Sequence, residues 1–155
     1  GILALAAARA DARTVLAVDN DPVAVRVARE NARLNGLSGR MRAGVGDGYR
    51  RRPLARAQRR FDLVLANILS RPLQQMAPDM RRVLKPGGRA VLSGLLRRQE
   101  AEVLAAHRAQ GLVLERRLRL GDWSVLQLKR KTGGLGRAAG SLRLLRRLPG
   151  GLSGR

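Results

Sequence analysis

The sequence predicts an α/β fold: a parallel sheet assembled from βαβ units and closed by an antiparallel hairpin. Short apolar, β-branched runs alternate with stretches of helical periodicity along most of the chain, the pattern that lays helices across parallel strands. Near the end, two strand-like runs, Leu112 to Leu120 and Trp123 to Leu128, are separated only by Gly121 and Asp122, and so short a link joins antiparallel neighbours. The 155 residues give room for one domain with a substantial core.

Each element has a local reason. Gly1 is followed at once by Ile2-Leu3-Ala4-Leu5-Ala6-Ala7-Ala8, an apolar helical stretch with no Met and no cap, so the chain is expected to begin inside a domain. Thr14 to Val18 is a β-branched run ending in Asp19. Asp21 then offers an N-cap and Pro22 a first helical residue, so a helix runs from about Pro22 to Asn35, with Val23, Val27 and Leu34 at helical spacing and Gly36 as its stop. A weak strand at Met41 to Val45, the turn Gly46-Asp47-Gly48, an arginine-rich segment and a buried-type strand Phe61 to Ala66 repeat the pattern. A helix is expected over Pro72 to Leu84, broken by Lys85-Pro86-Gly87-Gly88, then a strand Arg89 to Ser93 and a helix Gln99 to Ala109 before the hairpin. The domain is expected over residues 1–128. From Lys129 onward, residues 129–155 form a Gly/Arg/Leu-rich tail with eight bases and no acids. Within it Leu142, Leu145 and Leu148, interleaved with Arg143, Arg146 and Arg147, fit either a short basic amphipathic turn or a disordered extension.

Composition removes several classes of function. There is no Cys, so no disulfide framework and no thiolate metal site, and a single His cannot supply a histidine cluster; no metal site is expected. No apolar run approaches the roughly 20 residues that span a bilayer, and the chain is read as cytoplasmic, without a membrane partner. Lys and Arg number 32 against 11 Asp and Glu, a formal charge of +21, which invites contact with nucleic acid. Only three of those bases are Lys, and Tyr49, Phe61 and Trp123 are the only aromatics, so stacking platforms are missing. A compositional bias toward Arg, Ala, Leu and Gly can produce the same charge without a binding site, so both readings stand, background charge slightly ahead.

In an open α/β sheet ligands bind beyond the carboxyl ends of the strands, and three polar residues fall there. Asp19 can accept hydrogen bonds from both ribose hydroxyls of a nucleoside, or can cap the following helix. Asp47 can receive the exocyclic amino group of adenine, or can be an ordinary turn residue between two glycines. Asn67 follows Phe61-Asp62-Leu63-Val64-Leu65-Ala66 at the mouth of its strand, as ligand or as turn former. Asp21 and Asp62 read as structural, His107 as an exposed side chain rather than a base, and Trp123 as packing for the hairpin.

Several of these residues also carry a resemblance. Gly1-Ile2-Leu3-Ala4, Val18-Asp19-Asn20-Asp21-Pro22, Ala28-Arg29-Glu30-Asn31 and Leu34-Asn35-Gly36 resemble a class I S-adenosylmethionine-dependent methyltransferase. Ala66-Asn67-Ile68-Leu69, Pro72-Leu73, Leu84-Lys85-Pro86-Gly87-Gly88, Leu92-Ser93-Gly94-Leu95-Leu96 and the late Trp123 narrow it to the PrmA family, which methylates ribosomal protein L11. The resemblance covers roughly Gly1 to Leu128. It implies a Rossmann-like sheet, S-adenosylmethionine as cofactor, Asp19 as the ribose-binding acid, Asn67 as a catalytic, cofactor-contacting asparagine, Gly1 as the last glycine of the cofactor loop and, less firmly matched, Asp47 as a cofactor contact. It also places a central strand and most of the glycine-rich loop before residue 1, so this chain is expected to lack them and, alone, to bind cofactor weakly. In related amine methyltransferases an Asn-Pro-Pro-aromatic motif orients a planar amino nitrogen. Ile68-Leu69 in place of the prolines fits a flexible lysine or terminal amine instead. The alternatives are methylation of ribosomal or transfer RNA, motivated by Arg50-Arg51-Arg52 with Arg56, Arg59 and Arg60, and a non-catalytic RNA-binding module; a nucleotide-dependent dehydrogenase fits these motifs poorly.

Overall fold

The computed structural model describes residues 1–50 and 61–132; the arginines at 51, 52, 56, 59 and 60 and the leucine-arginine turn at 142–148 lie outside the described residues. The elements run α1 (Ile2–Arg9), β1 (Val15–Asp19), α2 (Pro22–Leu34), β2 (Met41–Val45), a 3-10 turn (Gly48–Arg50), β3 (Phe61–Asn67), α3 (Ser70–Gln75), α4 (Ala77–Val83), β4 (Leu84–Leu96), a 3-10 turn (Arg97–Gln99), α5 (Glu100–Ala109), β5 (Leu112–Leu120) and β6 (Trp123–Arg130). The expected α/β fold with its closing hairpin is present.

The strands form two sheets. β1 and β2 pair in parallel, Asp19 opposite Val45. The other four are ordered β3-β4-β6-β5, with β3 parallel to β4 and both β6 pairings antiparallel. Among the described residues β1 and β3 are not hydrogen-bonded to each other, so each has an edge without a ladder partner. Alternation along β1 serves both faces. Val15 and Ala17 join Leu5, Ala8, Ala28, Ala32, Leu37 and Met41 in an alanine-rich core with α1 and α2, whereas Leu16 and Val18 pack against the larger core. That larger core holds Leu73 of α3, Met80 and Val83 of α4, Ala90 and Leu92 of β4, Val103 of α5, and Leu126 and Leu128 of β6.

Local signals explain most boundaries. Asp21 Oδ1 accepts the Val23 N–H at 2.8 Å ahead of Pro22, and Gly36 ends the helix at φ +68°. The single helix expected over Pro72 to Leu84 is instead two, α3 and α4, meeting at Met76. Pro78 is the cause: inside one continuous helix it would lack an N–H and its ring would meet the carbonyl of Gln74, whereas in the first turn of α4 it costs nothing. Lys85 to Gly88 interrupts the β3–β4 ladder between Phe61–Leu84 and Leu63–Arg89, with Gly87 at φ +78°, rather than lying outside the strand.

Two side-chain expectations are corrected. His107 is fully buried, not exposed: its Nδ1 bonds the Val103 carbonyl at 2.8 Å, and burial lowers its pKa, so it stays neutral near pH 7. Trp123 does not bury itself in the hairpin: it stands 58% exposed opposite Leu120, itself exposed. β6 also continues to Arg130, two residues past the expected Leu128, and Arg130 Nη1 donates to the carbonyls of Arg81 and Leu84 at the end of α4.

Candidate functional site

The three polar candidates stand at carboxyl ends of parallel strands. Asp19 closes β1, where its carbonyl accepts the Gly46 N–H at 2.9 Å, so the turn that carries Asp47 is anchored beside it. Asp19 Oδ1 accepts the Asp21 N–H at 3.0 Å, and no described residue bonds Oδ2. Asp47 is exposed, at the head of the 3-10 turn. The next residue, Gly48, sits at φ +51°, and a Cβ there would fall 2.7 Å from Met76 Cε, so this turn packs on the junction of α3 and α4. Tyr49 fills the larger core, and burial, reinforced by the charge of Asp79, raises its pKa, which removes it as a base.

Asn67 closes β3, exposed and opposite Ser93 of β4, and no described residue hydrogen-bonds its carboxamide. Ile68 and Leu69, 36% and 75% exposed, form an apolar lip immediately after it. Gly1 lies at the other flank, capping α1 through its carbonyl; a Cβ there would come within 2.6 Å of Ala28 Cβ, so glycine is what lets α1 approach α2. The structure therefore groups Asp19 with Asp47 on one sheet and sets Asn67 on the other. Asp21 caps α2 and Asp62 pairs with Lys85 Nζ at 2.7 Å, both structural as expected.

One neighbour had a motif but no assigned role. Gly94 in β4 lies so close to Asn67 that an added Cβ would be 2.7 Å from Asn67 Oδ1. The signal available in the sequence is a glycine inside a strand, which marks a bulge or a close approach. A shallow cleft of about 330 Å³ opens between α2 and β2, lined by Arg29, Ser38 and Arg42 among others, and none of the candidates borders it. The candidate site is an open surface at the strand ends, and among the described residues no cluster could hold a metal.

Comparison with known proteins gives these positions a family context. A family model described as ribosomal protein L11 methyltransferase (PrmA) matches residues 1–131. A ribosomal protein L11 methyltransferase of Bradyrhizobium diazoefficiens is 52% identical over 130 residues, 84% of this chain and 44% of that protein. One from Brucella suis is 41% identical over 128 residues, 83% and 45% of the two chains. The chain thus spans less than half the length of these relatives. The crystal structure of a ribosomal protein L11 methylase from Lactobacillus delbrueckii subsp. bulgaricus superposes with a TM-score of 0.73 at 31% identity, covering 84% of this chain and 65% of that one. An RNA methyltransferase from Salinibacter ruber, solved with S-adenosyl-L-homocysteine, shares the fold with a TM-score of 0.65 at 19% identity, over 88% and 78% of the chains.

Proposed function

The chain belongs to the ribosomal protein L11 methyltransferase (PrmA) family, and from that premise we propose that it carries the cofactor and amine site of an S-adenosylmethionine-dependent protein methyltransferase acting on lysine or terminal amines of a ribosomal protein. The observation that carries the reading is Asn67: an exposed carboxamide without a hydrogen-bond partner among the described residues, at the carboxyl end of a parallel strand, beside an apolar lip.

The donor set fits S-adenosylmethionine. Asp19 has a carboxylate oxygen that no described residue bonds, free to accept ribose hydroxyls, and Asp47 sits on the adjoining turn to receive an adenine amino group. The cofactor would supply a sulfonium-activated methyl group, so little acid-base chemistry is asked of the chain. Asn67 orients the attacking nitrogen through its carbonyl. A lysine amine, with a reference pKa of about 10.4, must be neutral to attack, and the apolar Ile68 and Leu69 would disfavour its ammonium form once bound substrate covers them. Gly1 contributes close packing at the head of α1 rather than a charge. With a ribosomal substrate the enzyme works in the cytoplasm. Contact with RNA through the Arg50–Arg60 segment is nonspecific in this reading and weakens steeply with added salt.

The test is transfer of labelled methyl groups from S-adenosylmethionine to purified ribosomal protein L11 and, separately, to ribosomal and transfer RNA. Label is expected in the protein, at a strongly reduced but measurable rate in Asn67→Ala. Label in RNA alone would replace this reading with RNA methylation.

A further inference from the structure

β4 and β6 are out of step at one place. Leu92 pairs with Leu126 and Leu95 with Ser124, so Ser93 and Gly94 on β4 stand against Val125 alone on β6. This is a β-bulge, and its second residue, Gly94, has φ +77°, a conformation that other L-residues rarely adopt. The bulge is held from both sides. Leu95 is fully buried after it, and the Leu96 N–H donates to Gln99 Oε1 at 2.9 Å. On its other strand neighbour, Ser93 stays in parallel register with Asn67. The backbone of Gly94 is therefore turned onto the end of β3. An added Cβ would lie 2.7 Å from Asn67 Oδ1, 3.1 Å from the Ile68 carbonyl oxygen and 3.3 Å from the Ile68 nitrogen.

We propose that Gly94 is a positioning residue for Asn67: the bulge in β4 lays a bare α-carbon under the carboxamide and the Ile68 peptide, fixing where the carbonyl that orients the attacking amine can sit. The proposal rests on the reading of Asn67 given above. Its content is steric and directional. Any side chain at residue 94 displaces the carboxamide, because neither contact on the Ile68 peptide can swing away as a flexible side chain would. Gly94 touches no substrate itself and acts only through Asn67.

The experiment compares Gly94→Ala, Asn67→Ala and the double variant with Gly121→Ala, which incurs similar positive-φ strain at +55° with nothing within 4 Å of the added Cβ. The thermal midpoint and the rate of labelled methyl transfer to ribosomal protein L11 are taken on each, and the Asn67 side-chain amide resonance by NMR on the parent, Gly94→Ala and Gly121→Ala. Gly94→Ala is expected to shift that amide resonance and to slow transfer about tenfold to a hundredfold, since small misplacements of an orienting group act on that scale. Gly121→Ala should lower the midpoint and leave both other readouts unchanged. In the Asn67→Ala background, Gly94→Ala should slow transfer no further. The positive φ and the Ile68 contacts burden residue 94 in either background, so the drop in thermal midpoint caused by Gly94→Ala should be smaller in the Asn67→Ala background than in the parent; an equal or larger drop would overturn the steric coupling. An unmoved Asn67 resonance in Gly94→Ala overturns the proposal whatever the activity. Asn67→Ala with undiminished transfer would instead sink the reading of the site.

Discussion

Asp19 and Asp21 are chemically alike and two residues apart, yet their carboxylates accept different backbone N–H groups, those of Asp21 and Val23. Asp21 satisfies the Val23 N–H at the start of α2, and its replacement by Ala should cost about 1 kcal/mol of stability with no change in cofactor affinity. Asp19→Asn keeps an Oδ1 acceptor for the Asp21 N–H, so its thermal midpoint should hold. It loses the charge that the proposed site offers to two ribose hydroxyls, and S-adenosylhomocysteine should bind about tenfold more weakly by titration. The reverse pattern, a lower midpoint and unchanged affinity in Asp19→Asn, would return Asp19 to a purely structural role. The cap at Asp21 was legible in the sequence because it is local: a strand, then Asp-Pro opening a helix. The contact between Gly94 and Asn67 was not, since it depends on the register of two strands and on a bulge set by a third.

Among the elements, α5 is bound to the hairpin by charge as well as by its apolar face. Glu100 opens α5 almost fully buried, takes Arg119 in a bidentate pair at 2.9 Å for each bond, and meets Arg117 at 3.0 Å, both arginines projecting from β5. These arginines, with Arg119 first, hold its carboxyl down to about 2 against a burial effect that opposes them. A depressed folded-state pKa contributes stability above the unfolded value and loses it as pH falls, so the contribution is complete above about pH 4.5 and fades toward pH 2. Glu115, held near 2 chiefly by Arg89 on β4, adds an exposed, more weakly coupled contribution in the same window. Thermal midpoints measured from pH 7 to 2 should show a plateau and then a decline in the parent chain. Glu100→Gln should show a lower plateau, from two unpaired arginines, and a shallower decline; an equally steep decline would remove Glu100 as the source. The hairpin itself was readable from Gly121-Asp122, and α2 from its caps. The junction of α3 and α4 is marked by Pro78, but the helical spacing over Pro72 to Leu84 reads as one element unless that proline is weighed as a second helix start. His107 was missed for a different reason: its apolar surroundings come from elements distant in sequence, which a single helix does not reveal.

For the whole molecule, the division of the sheet decides how well the site can work. The strand order of the larger sheet and the separation of β1 from β3 involve partners far apart in the chain, which composition and periodicity do not encode; only the family resemblance pointed to a sheet open at its centre. The two groups that would hold opposite ends of one cofactor, Asp19 and Asn67, therefore stand on different sheets. What joins those sheets is side-chain packing: Leu16 and Val18 against the larger core, and Gly48 against Met76. No ladder of hydrogen bonds between β1 and β3 fixes their spacing among the described residues. A ligand that bridges them must itself supply the order, and that ordering free energy is subtracted from its affinity. This chain should accordingly bind S-adenosylmethionine more weakly than micromolar, and the ligand should slow hydrogen exchange in β1 and β3 together when it does bind. Titration calorimetry giving a micromolar or tighter dissociation constant would mean that packing alone holds the two sheets in the productive arrangement.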